Sequence, residues 1–175
     1  YRKCDVCGTY HWPWCGDELP KVGLESLPVA APLEEEPPHA RTTNYVAGFA
    51  FNDDESRVAL ILKTRPDWQR GRLNGIGGHI EPGETPLVAM EREFEEETGG
   101  AADWTEFAVL RGPSGFVVHF FRGIATTPLE TQTDETVVWV DPAALPENVL
   151  PNLRWLIPMA RSGQGAQWPL HVTEN

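Results

Sequence analysis

The chain has 175 residues, 41% of them hydrophobic, which suits one domain with a core and a small appendage. Its 26 acidic residues outnumber 14 Lys and Arg, for a net charge of −12. A surface of that sign repels nucleic-acid phosphates and argues against a duplex DNA or RNA binder, and no apolar run of about 18 residues offers a membrane span. The three cysteines, Cys4, Cys7 and Cys15, all lie near the start, and an odd number makes a poor disulfide framework. No charged-then-apolar leader opens the chain, so a cytoplasmic location is the default expectation. The chain begins at Tyr1 rather than Met, which leaves a trimmed N-terminus open.

Residues 1–17 are rich in Cys, His and Trp. Cys4-x2-Cys7-x3-His11-x3-Cys15 offers four soft or borderline ligands within twelve residues, which suits a tetrahedral structural Zn²⁺. The spacing is similar to a zinc knuckle shortened by one residue in each longer gap; the plain alternative is free reduced cysteines. Residues 18–42, with Glu34-Glu35-Glu36-Pro37-Pro38, read as a Pro/Glu-rich linker to a main domain over 43–175. Tyr45–Phe51 and Arg57–Leu62 read as strands joined by the turn residues Asn52-Asp53-Asp54-Glu55-Ser56. Thr64–Leu73 is a polar, basic loop and Asn74–Ile80 a Gly-rich extended segment. Glu84–Thr98 reads as a helix, started by Thr85-Pro86 and stopped by Gly99 and Gly100, with Leu87, Met90 and Phe94 on a face suited to a core. Trp104–Leu110, Phe116–Ala125 and Thr136–Val140 read as strands, with a Gly112-Pro113-Ser114-Gly115 turn between the first two. Asp141–Leu145 looks like a short capped turn of helix. Asn152–Ala160 reads as a second helix that offers Trp155, Leu156 and Met159 for burial and is broken or kinked at Pro158. Strands and helices in this order predict a mixed sheet covered on both faces.

Within the first helix, Glu93, Glu96 and Glu97 fall in one sector. Carboxylates crowded there repel each other, which makes sense if a hard divalent cation such as Mg²⁺ or Mn²⁺ sits among them; the bland reading is a solvated acidic face. Lys63, Arg65, Arg70 and Arg72 form a local basic exception that can receive polyphosphate.

The run Gly78, Glu84, Arg92-Glu93-Phe94, Glu96-Glu97, Gly99 resembles the Nudix box, G-x5-E-x7-R-E-U-x-E-E-x-G-U, in all but its last position. There Gly100 replaces an apolar residue, a departure that touches packing and not chemistry. The resemblance covers roughly residues 43–160 and implies an α/β/α sandwich whose box forms a loop–helix–loop. It further implies a metal-dependent hydrolase of nucleoside diphosphates linked to another group, a small-molecule substrate, and a monomer or homodimer. It puts Mg²⁺ on Glu93, Glu96, Glu97 and the Gly77 carbonyl, with Glu93 a reasonable general base. Glu84 and Arg92 pair as a brace, and Glu135, or else Asp134, supplies a further acid from outside the box. His79 stands where many relatives carry Lys and is a weaker phosphate partner. Arg72–Gly78 resembles the segment before the box in MutT-type triphosphatases, where Asn74 occupies a base-reading position; Asn152 offers a second amide for a purine edge. Lys63, Arg65, Arg72 and His79 complete the expected substrate contacts. Trp155, Phe49 and Leu150 are candidates to sandwich a base, each more often core. The implied substrate is a purine nucleoside triphosphate, oxidised forms included, cleaved to the monophosphate and pyrophosphate. The alternatives are ADP-ribose or a dinucleotide, suggested by Pro113, and a nucleotide-binding module without catalysis.

Overall fold

The structure, a computed structural model, describes residues 2–3, 10–11, 42–112, 115–162 and 168–173. The chain divides into two units, Tyr1–Pro38 and His39–Asn175. In the first, β1 (Arg2–Lys3) pairs antiparallel with β2 (Tyr10–His11). Cys4, Cys7, Cys15 and the linker up to residue 41 lie outside the described residues, as does Pro113, and of His11 only the backbone is described.

The second unit is built on one mixed sheet of seven strands. β3 (Thr43–Phe51) pairs parallel with β7 (Phe116–Ala125), which pairs antiparallel with β6 (Ala102–Arg111). β9 (Leu170–Thr173) adds to β6 in parallel, in a tail that carried no clear sequence signal. On the other side, β4 (Val58–Leu62) pairs with β3 only at Ala50–Ala59 and Phe51–Val58 before diverging to meet β5 (Leu73–Asn74). The opposite edge of β4 carries β8 (Thr136–Val140).

Side chains alternate across these strands, and the alternation makes two cores. Phe49, Phe51, Val58 and Leu60 face a cluster with Leu153, Leu156, Ile157 and Ala160 of helix α2 (Leu153–Arg161). Val46, Ala50, Ala59 and Ile61 face a cluster with Ala89, Met90 and Phe94 of helix α1 (Pro86–Thr98). The sheet is therefore covered on both faces, as the sequence predicts. A bulge between Glu106 and Ala108 turns Phe107 and Ala108 both into the α2-side cluster. No described helix is long and apolar enough to cross a membrane.

Several expectations need correction. Leu87 is 42% exposed, because the buried stripe of α1 begins only at Ala89. On α2, Leu153, Leu156, Ile157 and Ala160 fill the inward positions, which leaves Trp155 40% exposed and Met159 half-buried. Pro158 does not break α2, which continues to Arg161: it stands on the exposed side and, lacking an N–H, leaves the Arg154 carbonyl without its helical donor. Residues 141–145 form one turn rather than a helix, with the Asp141 carboxylate accepting from the Ala143 N–H at 2.8 Å.

Candidate functional site

The site begins where β4 leaves β3. Residues 76–80 take over the vacated edge: Gly48 and Ile76 exchange hydrogen bonds at 2.7 and 3.1 Å, and the Val46 N–H donates to the Gly78 carbonyl at 2.9 Å. Two glycines make this approach feasible. Gly77 has φ +146°, and a Cβ there would stand 2.3 Å from the Val46 carbonyl oxygen. A Cβ on Gly78 would meet the Glu93 carboxylate at 2.5 Å. The box glycine is thus the floor against which Glu93 lies.

Helix α1 is fixed at both ends. The Thr85 hydroxyl accepts from the Val88 N–H at 3.3 Å, Pro86 opens the first turn, and Gly99, at φ 65°, closes the last by donating to the Glu95 carbonyl at 2.8 Å. Arg92 ties the helix to the preceding loop. Its guanidinium grips both Glu84 oxygens at 2.8 and 2.9 Å, donates to the His79 carbonyl at 3.0 Å and reaches Glu93 at 2.9 Å. Hydrogen bonds from Arg92, then from the Glu81 N–H, pull the Glu84 pKa down to about 2. A carboxylate depressed in the folded state adds stability above its unfolded pKa, near 4.5, and loses it as pH falls toward 2. An acid titration followed by circular dichroism is therefore expected to show lost stability in that window, and Glu84→Gln to flatten it; unchanged acid sensitivity in the variant would count against the brace.

Glu93 and Glu97 line a cleft of about 270 Å³ together with Gly77, Gly78, His79, Lys63, Arg65 and Glu135. Glu97 accepts from the Gly77 N–H at 3.0 Å. Burial, reinforced by the negative charges of Glu93 and Glu135, pushes its pKa up to about 7 against the opposing pull of Lys63 and the Gly77 amide. Glu135 is only 5% exposed and already well supplied: it pairs with the Lys63 ammonium and accepts from the N–H groups of Thr64 (2.8 Å) and Arg65 (3.3 Å). Burial alone would raise its pKa, but these donors outweigh burial and hold it low.

Not every predicted residue reaches the cleft. Glu96 is 62% exposed and leans toward Arg92 at 3.5 Å; three residues from Glu93, it falls on the outer flank of the helix while Glu97 turns inward. Among the described residues, no three His, Cys, Asp or Glu side chains are gathered as a metal-binding group. Arg65 stands on the rim, 3.5 Å from Asp134, and Lys63 is committed to Glu135. His79 is exposed and lies against Tyr45, with ring centroids 4.3 Å apart. Arg72 is exposed, on the loop before β5.

The segment just before Asn152 runs along the strand that carries Asn74. The Leu150 N–H donates to the Leu73 carbonyl and the Leu73 N–H to the Asn148 carbonyl, both at 2.9 Å, so the approach to α2 runs beside β5. Asn152 precedes α2 and makes no side-chain cap bond. Phe49 and Leu150 are core and unavailable to a base. Sequence reasoning missed Thr64 and Gln69. Thr64 joins Glu135 across 71 residues, and Gln69 bonds to Asn74 across a loop, and neither contact leaves a local signal. A larger hollow of about 720 Å³ lies between the β3–β4 turn and the end of α2, with Asp53, Pro142 and Arg161 on its walls, and holds none of the predicted site residues.

The NUDIX domain model matches residues 41–159. Among solved structures, a MutT studied from Aliivibrio salmonicida and Vibrio cholerae is 27% identical with a TM-score of 0.59, covering 70% of this chain and 96% of that one. A NUDIX hydrolase from Nitrosomonas europaea has a TM-score of 0.62 at 19% identity, covering 76% and 80%, and supports the fold alone. An 8-oxo-dGDP phosphatase of Mus musculus is 31% identical over 87 residues, which is 42% of this chain and 27% of that protein. The chain spans about a quarter of the length of the curated relatives that it matches. With the box built as described and the domain matched over most of its length, this chain belongs to the Nudix family, on its MutT-like side.

Proposed function

We propose that this domain hydrolyses a phosphoanhydride bond in a nucleoside diphosphate linked to another group, and that it takes purine nucleoside triphosphates, oxidised forms included, to monophosphate and pyrophosphate. The observation that carries the reading is the cleft itself, where Glu93, Glu97 and the Gly77 backbone share one wall system with Lys63, paired to Glu135, and with Arg65 on the rim. The donor set fits a hard divalent cation such as Mg²⁺: carboxylate and carbonyl oxygens, with one carboxylate buried and short of counter-charge. Glu93, Glu97 and the Gly77 carbonyl would hold it, and Glu96, exposed and loosely paired, joins by a change of rotamer. When bound, the cation neutralises phosphate charge and lowers the pKa of water.

The chain's own residues do the rest. Glu93, lying on Gly78, is the general base for the attacking water. Glu84 and Arg92 hold loop and helix in register. Arg65 meets phosphate oxygens from the rim of the cleft that His79 also lines, Arg72 is a further phosphate contact from the exposed loop before β5, and Lys63 balances the charge of Glu135 and Glu97. Asn74 and Asn152 meet the base. The 8-oxo-dGDP phosphatase relative supports a purine substrate.

Gly78→Ala tests the placement of Glu93. Its Cβ would displace that carboxylate, so kcat is expected to fall at least about tenfold while the melting temperature stays near that of the wild type. Full activity would show that Glu93 need not lie there. The function itself is tested by a phosphate-release screen with Mg²⁺ over ordinary and oxidised purine and pyrimidine triphosphates, ADP-ribose, NADH and dinucleoside polyphosphates. Pyrophosphate released preferentially from purine triphosphates is the expected result. Selective cleavage of ADP-ribose or a dinucleotide would overturn the substrate, and silence with intact nucleotide binding would leave a binding module.

Residues 1–17 are further proposed to hold a structural zinc on Cys4, Cys7, His11 and Cys15, joined through 18–42 to the hydrolase domain 43–175. The ligand spacing supports this. Elemental analysis should find one zinc per chain, lost in Cys7→Ser; purified protein without zinc and of unchanged stability would dismiss it.

A further inference from the structure

The box departs from its pattern at Gly100, and another side chain stands where the missing one would be. Gly100 is buried and its φ is not positive, so its conformation does not demand glycine. Space does: a Cβ there would stand 2.3 Å from Leu129 Cδ2. Leu129 belongs to the connection between β7 and β8, residues 126–135, and packs against the core cluster under α1.

That connection lies across the C-terminal end of α1. The Glu130 N–H donates to the Thr98 carbonyl at 2.9 Å, and the Gln132 N–H to the Glu97 carbonyl at 3.2 Å. Both carbonyls are in the last turn of the helix, where no helical donor reaches them. Along residues 126–134 every side chain is exposed except that of Leu129, and Glu135, which follows, is buried. The connection therefore buries side chains at two points. Leu129 lies against Gly100, and Glu135 lines the cleft, where it pairs with Lys63 and accepts from the Thr64 and Arg65 N–H groups.

We propose that Leu129 is a positioning residue: seated on Gly100, it sets the register of the connection and so places Glu135 in the wall of the cleft that Glu97 also lines. An apolar residue of the usual box size at position 100 and a leucine at 129 exclude each other, so the departure at Gly100 reaches the cleft as well as the core. Leu129 does not itself line the cleft and acts through Glu135. The proposal rests on the reading of this cleft as the hydrolytic site.

Three variants test it: Gly100→Val, which gives the box its apolar residue, Leu129→Ala, and the two combined. Gly100→Val adds as many carbons as Leu129→Ala removes, so the double variant refills the same space. Two quantities are measured: hydrolysis of a purine triphosphate with Mg²⁺, and hydrogen exchange of the Thr64 and Arg65 amides, which report on Glu135. Gly100→Val is expected to lower kcat about tenfold and to speed exchange at both amides about tenfold. Leu129→Ala moves both quantities the same way by less, and the double variant brings both back to within about threefold of the wild type. Single variants that melt lower but keep kcat and the protection of both amides would reduce Leu129 to packing and overturn the proposal. A folded double variant in which neither quantity recovers would overturn it too. If Gly100→Val does not fold, Leu129→Ala carries the test through the same two amides. A wild type that hydrolyses no nucleotide would remove the hydrolytic reading, while the amides still decide whether Leu129 places Glu135.

Discussion

Glu97→Gln is expected to lower kcat by about a hundredfold or more and, in the metal-free protein, to raise stability above about pH 7. Both effects have one origin. The Glu97 carboxylate is held against the Gly77 amide in a partly dry cleft beside Glu93 and Glu135. Burial, with those two charges, lifts its pKa from 4.5 to about 7. Between these values the folded state binds more protons than the unfolded state, so stability falls as pH rises through that window. The rise corresponds to about 3 kcal/mol once Glu97 is fully ionised. Glutamine keeps an oxygen for the Gly77 N–H and carries no charge, so that cost disappears, together with the negative oxygen that a cation needs. Steady-state kinetics and thermal melts in chelator, run side by side, check the pair of effects. A variant that loses stability with its activity would place Glu97 in the fold rather than in the chemistry.

Phe94→Ala is expected to cost about 3–5 kcal/mol, measured by chemical denaturation. Phe94 is fully buried and packs edge-on against Trp104, with ring centroids 4.9 Å apart. It is the largest side chain that α1 inserts toward the sheet, beside Met90 and Ala89. Because Glu93 and Glu97 ride on the same helix, a cavity under Phe94 loosens the carboxylates from Gly77 and Gly78. Activity in Phe94→Ala should therefore fall even at temperatures where the protein is still folded. A loss below about 1 kcal/mol would show that α1 is held mainly by the Glu84–Arg92 brace.

The parts of the fold that were legible in the sequence are those written in short-range pattern. Thr85-Pro86 and Gly99 mark α1 because caps are local chemistry, and the β3–β4 hairpin shows as two apolar runs around turn residues. What the sequence hid depends on partners far away in the chain. Leu87 shares the apolar sector of Phe94, yet it stays exposed, since the helix is covered only from Ala89 onward. Helical spacing groups Glu93, Glu96 and Glu97, but Glu93 and Glu97 line the cleft while Glu96 stays exposed, 3.5 Å from the Arg92 guanidinium. The role of Gly78 as a floor for Glu93 also needs the fold, because the contact joins a loop to a helix 15 residues later. The same holds for Glu135, which reads as a turn carboxylate until the return of β8 sets it against Lys63 and Thr64.

The central claim is that a cation held by Glu93 and Glu97 drives hydrolysis in this cleft. It is tested most directly by titrating Mg²⁺ into the metal-free wild type and Glu97→Gln with a purine triphosphate in excess, following pyrophosphate release. The account predicts no release without Mg²⁺, saturable release from the wild type, and a flat trace from Glu97→Gln at every concentration. Release that persists in chelator, or that Glu97→Gln matches, would contradict it.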